Sequence, residues 1–271
     1  MKMTKISTEE AKKIMLEATI YFAKFCKENG LKMWLHGGTL LGAIRHKGYI
    51  PWDDDIDLAM PREDYEKLLK MTDKLDPGYT LFEHRLNKRY KYPFAKLSVN
   101  DTLCVEFHNP KSCGVRLGIY LDIFPIDYVG NTEEDAKAFC EETSEMVFYS
   151  WRFLRQKLEG GFVGRTIKTL KRAIRYNRFA GNRFLARFDA KLRSYKEPTA
   201  YCAVPAWINA PKTIMKREEY DGGEVVSFEG HEFLAYQGYI HWLESVYGDY
   251  MTLPPVEKRE IHGCDFYIKQ K

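Results

Sequence analysis

The stretch from Trp34 to Pro61, WLHGGTLLGAIRHKGYIPWDDDIDLAMP, places a Gly-Gly-Thr turn and a run of aspartates close together beside short apolar segments. Side chains on a β-strand alternate between its two faces, so Asp55 and Asp57 are expected to project together while Ile56 and Leu58 face a core. Neighbouring carboxylates repel each other and suit a hard divalent cation, which prefers oxygen ligands. The pattern therefore predicts a metal site at a buried strand, with Asp55 and Asp57 as the metal ligands.

The glycine turn predicts a phosphate site beside that metal. Gly37 and Gly38 allow positive φ angles and close approach of the backbone to a ligand. Thr39 can cap a following helix from Leu40 to His46, whose first N–H groups would face an anion. Arg45 adds positive charge further along the helix. We therefore expect phosphate-binding roles for Gly37, Gly38, Thr39 and Arg45.

Two other interpretations of the aspartate run are a solvated surface turn and a calcium-binding loop. Asp53, Asp55 and Asp57 match the first three ligand positions of an EF-hand loop. However, the sixth position of that loop is Leu58 instead of glycine, and the twelfth is Asp64 instead of glutamate. The mismatch disfavours the calcium loop and leaves metal–phosphate chemistry and a plain surface turn as the alternatives.

The composition is that of an ordinary globular protein, because 45% of the 271 residues are hydrophobic, enough to bury a sizeable core. The first residues, MKMTKISTEE, lack the apolar region of an export signal, and no long apolar run follows, so we expect a cytoplasmic protein. The cysteines form no C-x-x-C pair, which favours reduced thiols and disfavours a zinc ribbon. Cys104, His108 and Cys113 lie close in sequence but lack a clear fourth ligand.

The positive charge of the chain is concentrated in one segment. The net charge is +4, but residues 151–196 contain fourteen Lys and Arg against two acids, which leaves 28 basic and 36 acidic residues elsewhere. Apolar residues recur at helical spacing within 165–176 and 181–195, which predicts two basic amphipathic helices. Such helices either carry a solvated basic face or contact an anionic surface, such as a lipid-linked glycan acceptor at the inner face of the membrane. Nucleic acid is a less favoured partner.

Hydrophobic periodicity and turn residues predict helices and strands that alternate along the chain, as expected for a mixed sheet flanked by helices. Besides the basic pair, the predicted helices comprise residues 8–29, with Ser7 as N-cap, 64–69, 131–157 and 239–247. The predicted strands comprise residues 31–35, 79–83, 94–99, 103–107 and 118–124, together with the strand that carries the aspartates.

The run GGTLLGAIRHKGYIPWDDDIDLAMPREDYEKL resembles the signature of the LicD family, the bacterial phosphocholine transferases related to fukutin-type phosphosugar transferases. Further motifs of that family follow in the same order: YPFAKL at Tyr92–Leu97, GIYLDIFPID at Gly118–Asp127, and YGDYM with a later double proline at Tyr247–Pro255. The resemblance covers most of the chain except residues 131–200. It implies a nucleotidyltransferase-like fold and metal-dependent transfer of a phospho-group.

The resemblance also implies two further site residues. Asp122 of GIYLDIFPID corresponds to a third acidic residue of the site, on a strand beside Asp55 and Asp57. Lys96 of YPFAKL is expected to meet an anion, although a lysine on an apolar strand can also extend to solvent. An aspartate in so apolar a segment is costly unless a donor or a positive group meets it. Asp127 is the competing choice, and a purely structural Asp122 is the other alternative.

Taken together, the patterns and the resemblance predict an α/β (α+β) fold, with a nucleotidyltransferase-like mixed sheet core flanked by helices and a basic helical insertion. Residues 1–130 would form the core with the metal site, residues 131–200 the basic helical insertion, and residues 201–271 the part that completes the core. We expect these three parts to form one compact unit.

The resemblance implies transfer of phosphocholine or a similar phospho-substituent from a CDP- or CMP-activated donor to a hydroxyl of a cell-surface glycan or teichoic acid precursor. Asp55 and Asp57 would hold Mg²⁺ or Mn²⁺ against the donor, and the glycine turn would cradle a phosphate oxygen. Arg45 and Lys96 would offset developing charge, and Asp122 would deprotonate the acceptor hydroxyl. Two alternatives are a nucleotidyltransferase that moves the nucleotide itself and a non-catalytic polyanion-binding protein.

A choline group would suit an aromatic box. Tyr49, Trp52, Tyr92 and Tyr120 are the aromatic residues near the motifs, yet ordinary packing also explains each of them. The sequence therefore leaves the transferred substituent open.

Overall fold

The computed structural model describes residues 2–106, 115–154, 178–207, 209–259 and 263–270. The strands are β1 (Met3–Ile6), β2 (Trp34–Leu35), β3 (Asp57–Pro61), β4 (Tyr79–Phe82), β5 (Ala95–Val99), β6 (Thr102–Glu106), β7 (Tyr120–Gly130), β8 (Tyr201–Ala203), β9 (Met215–Lys216), β10 (Glu224–Phe228), β11 (His231–Ala235) and β12 (Cys264–Lys269). The α-helices are α1 (Thr8–Glu28), α2 (Gly37–His46), α3 (Arg62–Leu69), α4 (Glu133–Leu154), α5 (Arg178–Leu192), α6 (Arg217–Tyr220) and α7 (Tyr239–Tyr247).

The main sheet has the strand order β2-β3-β7-β5-β4, and β8 and β9 extend it along the second half of β7. β3 and β7 run parallel, whereas β2, β5 and β8 run antiparallel to the strands they join. A second sheet joins β1, β12 and β6, and β10 and β11 form a hairpin. The mixed α/β fold predicted from the sequence is therefore confirmed.

The central strand of the main sheet is β7, and it is buried along almost its whole length. Leu121, Ile123 and Val129 have no exposed surface. A strand that is apolar on both faces is typical of a sheet covered by helices on both sides. α1, α3, α4 and α5 contact β7 and supply that cover.

Pro125 lies inside β7, so the strand continues beyond the predicted end at residue 124. A proline lacks the N–H that a central strand needs for its ladder. The Asp122 N–H donates to Ile56 O beside β3, so by alternation the Pro125 nitrogen faces the opposite edge. On that edge β5 pairs up to Ile123 and β8 begins to pair at Asp127. Pro125 therefore occupies the gap between two partner strands, where no donor is required.

Several elements match the sequence predictions closely. α1 begins after Ser7, whose side chain and that of Glu10 form a reciprocal capping box. β4, β5 and β6 lie within a residue of their predicted bounds, and α7 spans the predicted residues. Because the signals for these elements are local, the sequence was sufficient to locate them.

Other elements differ from the prediction. The strand predicted at residues 31–35 is only Trp34–Leu35, and Lys32 N instead donates to Asp64 Oδ2 at 2.8 Å. α2 begins at Gly37 and not at residue 40. β1 and β12, which form the second sheet with β6, were not predicted because their pairing joins the two ends of the chain.

The helical segment is described in part. α4 begins after Thr132, whose hydroxyl accepts from Asp135 N at 3.1 Å, as expected for an N-cap. α5 covers most of the predicted helix 181–195 and joins α4 through an ion pair between Lys191 and Glu142. The predicted helix 165–176 and half of the basic segment 151–196, namely residues 155–177, lie outside the described residues. The division into parts 1–130, 131–200 and 201–271 stays a prediction.

Two expectations about the whole chain concern membranes and thiols. Across the residues that the structure describes, none of the helices combines the length and the apolar character needed to span a bilayer. Five cysteines in the described ranges are free thiols, namely Cys26, Cys104, Cys140, Cys202 and Cys264. His108 and Cys113, which lie close to Cys104 in sequence and were considered with it as possible metal ligands, lie outside the described residues.

A buried ion pair holds the second half of β7 to α3. The Asp127 carboxylate accepts from Arg62 Nε at 2.6 Å and from Arg62 Nη2 at 2.8 Å. Only 1% of the Asp127 side chain is exposed, and Arg62 also contacts Glu66 at 3.3 Å. One guanidinium engages both oxygens of Asp127, so the geometry favours a structural role for Asp127. This residue was the alternative to Asp122 as the third acidic residue of the site.

We expect Asp127→Asn to lower the free energy of unfolding by about 3 kcal/mol, because it leaves the buried guanidinium of Arg62 without its charged partner. Urea unfolding measures this loss. Asp265→Asn is the control, since it breaks a partly exposed pair with Lys5 and should leave the unfolding midpoint almost unchanged. A stable Asp127→Asn protein that has lost its activity would show that Asp127 belongs to the functional site.

Candidate active site

Three neighbouring strands bring three predicted site residues into one row. Asp57 on β3 is the register partner of Asp122 on β7, and Asp122 is in turn the register partner of Lys96 on β5. Paired residues on adjacent strands project from the same face of a sheet, only about 5 Å apart. The sheet therefore assembles the charges of Asp57, Asp122 and Lys96 at one place, at the beginning of β3 and β7.

The aspartate run approaches this row in an alternating pattern. Ile56 and Leu58 are fully buried. Asp55, which precedes Ile56, and Asp57, which lies between Ile56 and Leu58, are half-buried. Asp55 precedes the first residue of β3, so the prediction that it lies on the strand was wrong by two residues. The predicted alternation of faces is nevertheless confirmed, and it places Asp55 and Asp57 on the more open side.

The negative charges of the run converge near Tyr247, the last residue of α7. Desolvation of the Tyr247 hydroxyl, together with the charges of Asp57, Asp53 and Asp55, raises the pKa of that hydroxyl above its usual value. The positive charge of Arg45 acts in the opposite direction. Tyr247 is the first residue of the YGDYM motif. Since the charges of the aspartates act on it, the end of α7 lies near the aspartate cluster.

The two glycines at the start of α2 make room for these carboxylates. Gly37 has a φ of +53°, and a Cβ atom there would lie 2.2 Å from Asp57 Oδ2. A Cβ atom on Gly38 would lie 2.5 Å from Asp53 Oδ2. The groups that pack against the two glycines are thus the carboxylates of Asp57 and Asp53. They lie at the N-terminus of α2, where the helix dipole favours negative charge. The predicted phosphate-binding role of Gly37 and Gly38 stays a prediction.

Thr39 lies within the first turn of α2, so the prediction that it caps the helix was wrong. The N-cap residue is His36, and its side chain makes no capping hydrogen bond. The Thr39 hydroxyl instead accepts from Asp57 N at 2.9 Å, while His36 N donates to Asp57 O at 3.0 Å. Both bonds fix the backbone of Asp57 to the beginning of α2.

The His36 ring is buried behind the site in an aromatic cluster. It packs at 4.7–6.4 Å from the rings of Phe124, Trp207, Tyr236 and Trp242. Burial lowers the pKa of His36 to about 3, so the imidazole is neutral at physiological pH. His36 therefore serves the packing of the N-cap and supplies no charge to the site.

Arg45 lies near the other end of α2, about 12 Å along the helix from Gly37. Arg45 Nη1 donates to Tyr250 O at 2.8 Å, which ties the helix to the segment after α7. The guanidinium is half-buried, and it is close enough to act on Tyr247. Arg45 therefore faces the same region as the aspartates but does not lie at the glycine turn.

Lys96 meets an anion within the protein, Asp122, and its predicted role toward the donor phosphate stays a prediction. Lys96 Nζ lies 2.5 Å from Asp122 Oδ1, and only 2% of the residue is exposed. The alternative that Lys96 extends to solvent is therefore wrong. Its ammonium lies 3.5 Å from the ring centroid of Tyr120, 4.8 Å from that of Tyr92 and 5.5 Å from that of Phe94.

The aromatic residues considered for a choline group are used by the protein itself. Tyr92 and Tyr120 surround the Lys96 ammonium, and the Arg259 guanidinium lies 4.3 Å over the Trp52 ring. The Tyr49 hydroxyl donates to Lys12 O at 2.8 Å. The packing explanation therefore accounts for all four aromatic residues.

A second cluster of possible metal ligands lies away from the aspartates. In the described ranges, Glu83, His84 and Asp189 are the group whose ligand atoms all lie within 4.8 Å of one another. However, Arg85 Nε donates to Glu83 at 3.0 Å and Arg193 Nη2 donates to Asp189 at 2.5 Å. These guanidinium charges oppose a cation at this cluster. The assignment of the metal to Asp55 and Asp57 stays a prediction.

Sequence reasoning missed one carboxylate that belongs to this region. Glu106, the last residue of β6, accepts hydrogen bonds from Tyr92 and Tyr120, the two tyrosines around Lys96. No local motif marks Glu106, because it comes from the second sheet. The only signal was a charged residue inside the predicted strand 103–107, whose other residues are apolar.

Comparison with known proteins places this geometry in a family context. A family model described as LicD/FKTN/FKRP, nucleotidyltransferase domain, matches residues 30–168. The lipopolysaccharide cholinephosphotransferase LicD of Haemophilus influenzae is 27% identical over 264 residues, which cover 96% of this chain and 97% of that protein. The human ribitol 5-phosphate transferase FKRP is 46% identical over 48 residues, 18% of this chain and 10% of FKRP. The mouse ribitol-5-phosphate transferase FKTN is 30% identical over 115 residues, 42% of this chain and 22% of FKTN.

We expect Gly37→Ala to weaken Mn²⁺ binding at least tenfold, because the new methyl group would displace the Asp57 carboxylate. Isothermal titration with Mn²⁺ and thermal unfolding measure the two effects. Gly30→Ala is the matched control, because Gly30 has a φ of +65° but nothing lies within 4 Å of an added Cβ. This variant therefore measures the backbone strain alone, about 1 kcal/mol. Equal Mn²⁺ affinity in the two variants would contradict the assignment of Asp57 to the metal.

Proposed function

The chain belongs to the LicD/FKTN/FKRP family of transferases, and we propose that it moves phosphocholine or a similar phospho-substituent from a CDP- or CMP-activated donor to a hydroxyl of a cell-surface glycan or teichoic acid precursor. The name of the Haemophilus relative supports choline phosphate as the group and a glycan as the acceptor. The name of the human relative supports ribitol phosphate as an alternative to choline phosphate as the transferred group. The observation that carries the proposal is the row of Asp57, Asp122 and Lys96 beside the glycine turn.

We propose Asp55 and Asp57 as the ligands of a divalent metal, Mg²⁺ or Mn²⁺. Carboxylate oxygens are the ligands that such an ion prefers, and the charges of Asp55 and Asp57 both act on the Tyr247 hydroxyl. The bound ion would offset charge on the phosphate oxygens of the donor. Asp53, whose carboxylate lies against Gly38, adds a further negative charge beside the beginning of α2.

The beginning of α2 is proposed to orient the donor phosphate. The first N–H groups of a helix have no acceptor within the helix, so those of Gly37, Gly38 and Thr39 are suited to an anion. Arg45, which acts on the same region as the aspartates, would offset negative charge on the leaving nucleotide.

Asp122 is proposed to act on the acceptor. The acceptor hydroxyl would give its proton to the Asp122 carboxylate as its oxygen attacks phosphorus in line, and the bond from phosphorus to the nucleotide oxygen would break. With a CDP-activated donor, CMP leaves. The Lys96 ammonium, 2.5 Å from Asp122 Oδ1, fixes the direction of the Asp122 carboxylate.

The basic segment 151–196 is proposed to contact an anionic, lipid-linked acceptor, so the protein would act in the cytoplasm at the inner face of the membrane. The charge excess of the segment supports this proposal, because long-range attraction brings a polybasic segment to anionic lipids. A nucleic acid partner would conflict with the relatives, which are named as transferases of phospho-substituents.

Transfer of the nucleotide itself is a second candidate, favoured by the description of the family model as a nucleotidyltransferase domain. One experiment separates the two reactions. The protein is incubated with CDP-choline, CDP-ethanolamine, CDP-ribitol and CDP-glycerol, with and without Mg²⁺, in the presence of a glycan acceptor. Phospho-substituent transfer releases free CMP, whereas nucleotide transfer leaves the CMP on the acceptor. If neither product forms with any donor, the proposed function is wrong.

Asp57→Ala and Asp55→Ala are each expected to abolish Mg²⁺-dependent transfer while the thermal midpoint stays the same or rises, since one repelling charge is removed. Release of CMP and thermal unfolding measure the two quantities. Asp73→Ala, at an exposed aspartate elsewhere on the surface, is the control and should transfer like the wild type. An Asp57→Ala protein with near wild-type turnover would overturn the metal assignment.

Asp122→Asn is expected to slow transfer by roughly a hundred- to ten-thousand-fold while donor affinity in Mg²⁺ is retained. Donor affinity, single-turnover rate and melting on this variant distinguish three roles. If Asp122 is instead a metal ligand, donor affinity falls together with the rate. If Asp122 is only structural, the melting temperature falls because Lys96 is left unpaired, but the rate per folded molecule holds.

A further inference from the structure

Glu106 connects the second sheet to the charged row of the candidate active site. It is the last residue of β6, where it pairs with Cys264 on β12, and its side chain is half-buried. The Tyr92 hydroxyl donates to Glu106 Oε2 at 2.7 Å, and the Tyr120 hydroxyl donates to Glu106 Oε1 at 2.7 Å. Each oxygen of one carboxylate therefore fixes one tyrosine.

The rings of the same two tyrosines enclose the Lys96 ammonium. The Nζ atom lies 3.5 Å from the centroid of Tyr120 and 4.8 Å from that of Tyr92. The ammonium is also bound to Asp122 at 2.5 Å. A continuous chain of contacts thus runs from Glu106 through two phenol rings to Lys96, and from Lys96 to the carboxylate proposed to act on the acceptor.

We infer that Glu106 is a positioning residue for transfer, which holds the Lys96–Asp122 pair in its productive arrangement through Tyr92 and Tyr120. The inference rests on the proposed function. In the contacts described, Glu106 touches neither the proposed metal ligands nor the glycine turn, and its link to the row of charges runs through the tyrosines around Lys96.

The charges support this arrangement. Burial alone lowers the pKa of Lys96, but the negative charges of Asp122 and Glu106 outweigh that effect, and the pKa is raised above its usual value. The charges of Asp122 and Glu106 together therefore keep the buried Lys96 ammonium protonated. A phenol that donates to a carboxylate also carries more negative charge on its ring, which strengthens its attraction to a cation.

The geometry further explains why two tyrosines are used. A phenylalanine at either position would keep a ring over Lys96 but would lose the bond that fixes the ring. Phe94, the third ring near Lys96 at 5.5 Å, has no such bond and lies farther away. In the part of the chain that the structure describes, the ion pair of Lys96 is with Asp122, and Glu106 fixes each of the two tyrosine rings that contact the ammonium.

Glu106→Gln is the test. We expect a fall in the single-turnover rate of about 10- to 100-fold, as for other residues that orient a reacting group, with donor affinity within about twofold of the wild type. The basic limb of the pH–rate profile should move to lower pH, because a neutral amide no longer stabilises the charged form of Lys96. Glu106→Asp keeps the charge but shortens the reach, so it should slow transfer while the basic limb stays in place.

Tyr92→Phe and Tyr120→Phe complete the test. Each should slow transfer by itself, and each should add little when combined with Glu106→Gln, because residues in one network are not additive. Asp265→Asn on the neighbouring strand of the same sheet is the control and should leave rate and profile unchanged. An unchanged rate and profile in Glu106→Gln would overturn the inference, and so would a fall in melting temperature with no change in rate per folded molecule.

A measurement that does not require turnover separates this inference from the proposed function. The Lys96 ammonium is titrated by NMR in protein labelled with [15N]lysine, and its signal is assigned with Lys96→Arg. A titration that moves to lower pH in Glu106→Gln supports the link even if no donor is turned over, in which case the proposed function alone fails. A titration unchanged by Glu106→Gln overturns the link even if transfer occurs.

Discussion

The buried ion pair between Lys96 and Asp122 is the contact on which the arrangement of the site depends. An ammonium with 2% exposure would be strongly unfavourable without compensation, and the compensation here comes from a carboxylate at 2.5 Å and from three aromatic rings. The pair also joins β5 to β7, because the two residues are register partners. Asp57 is the next residue in that row, so the direction of one carboxylate influences the electrostatics of the whole cluster.

A second constraint comes from the close approach of the aspartates to α2. The atoms of Asp53 and Asp57 occupy space that any side chain at Gly37 or Gly38 would need. The first turn of the helix can therefore meet the aspartates only if both residues lack a Cβ atom. Thr39 then fastens the backbone of Asp57 to the same turn. The Gly-Gly-Thr sequence is thus explained by the aspartates it faces, whether or not a phosphate also binds there.

The sequence predicted what depends on local patterns and missed what depends on distant partners. α1, β4 and α7 carry their own periodicity and turn residues, so their bounds could be predicted from the residues themselves. The continuation of β7 past Pro125 depends on where two other strands end, which no local signal records. Lys96 and Asp122 were each predicted as site residues, but their contact could not be predicted without the register of β5 on β7. Glu106 was missed for the same reason, since it reaches the site from another sheet.

Two aspartates on one strand show how position decides the role of a carboxylate. Asp122 and Asp127 are five residues apart on β7, so they lie on opposite faces and about 17 Å apart along the strand. Asp127 is 1% exposed, and one guanidinium occupies both of its oxygens in a bidentate pair. Asp122 is bound through Oδ1 to a lysine, which has no planar fork and acts as a point charge. A carboxylate clamped on both oxygens by a planar guanidinium is suited to holding the fold together, whereas Asp122 pairs with a single ammonium in the row that also contains Asp57.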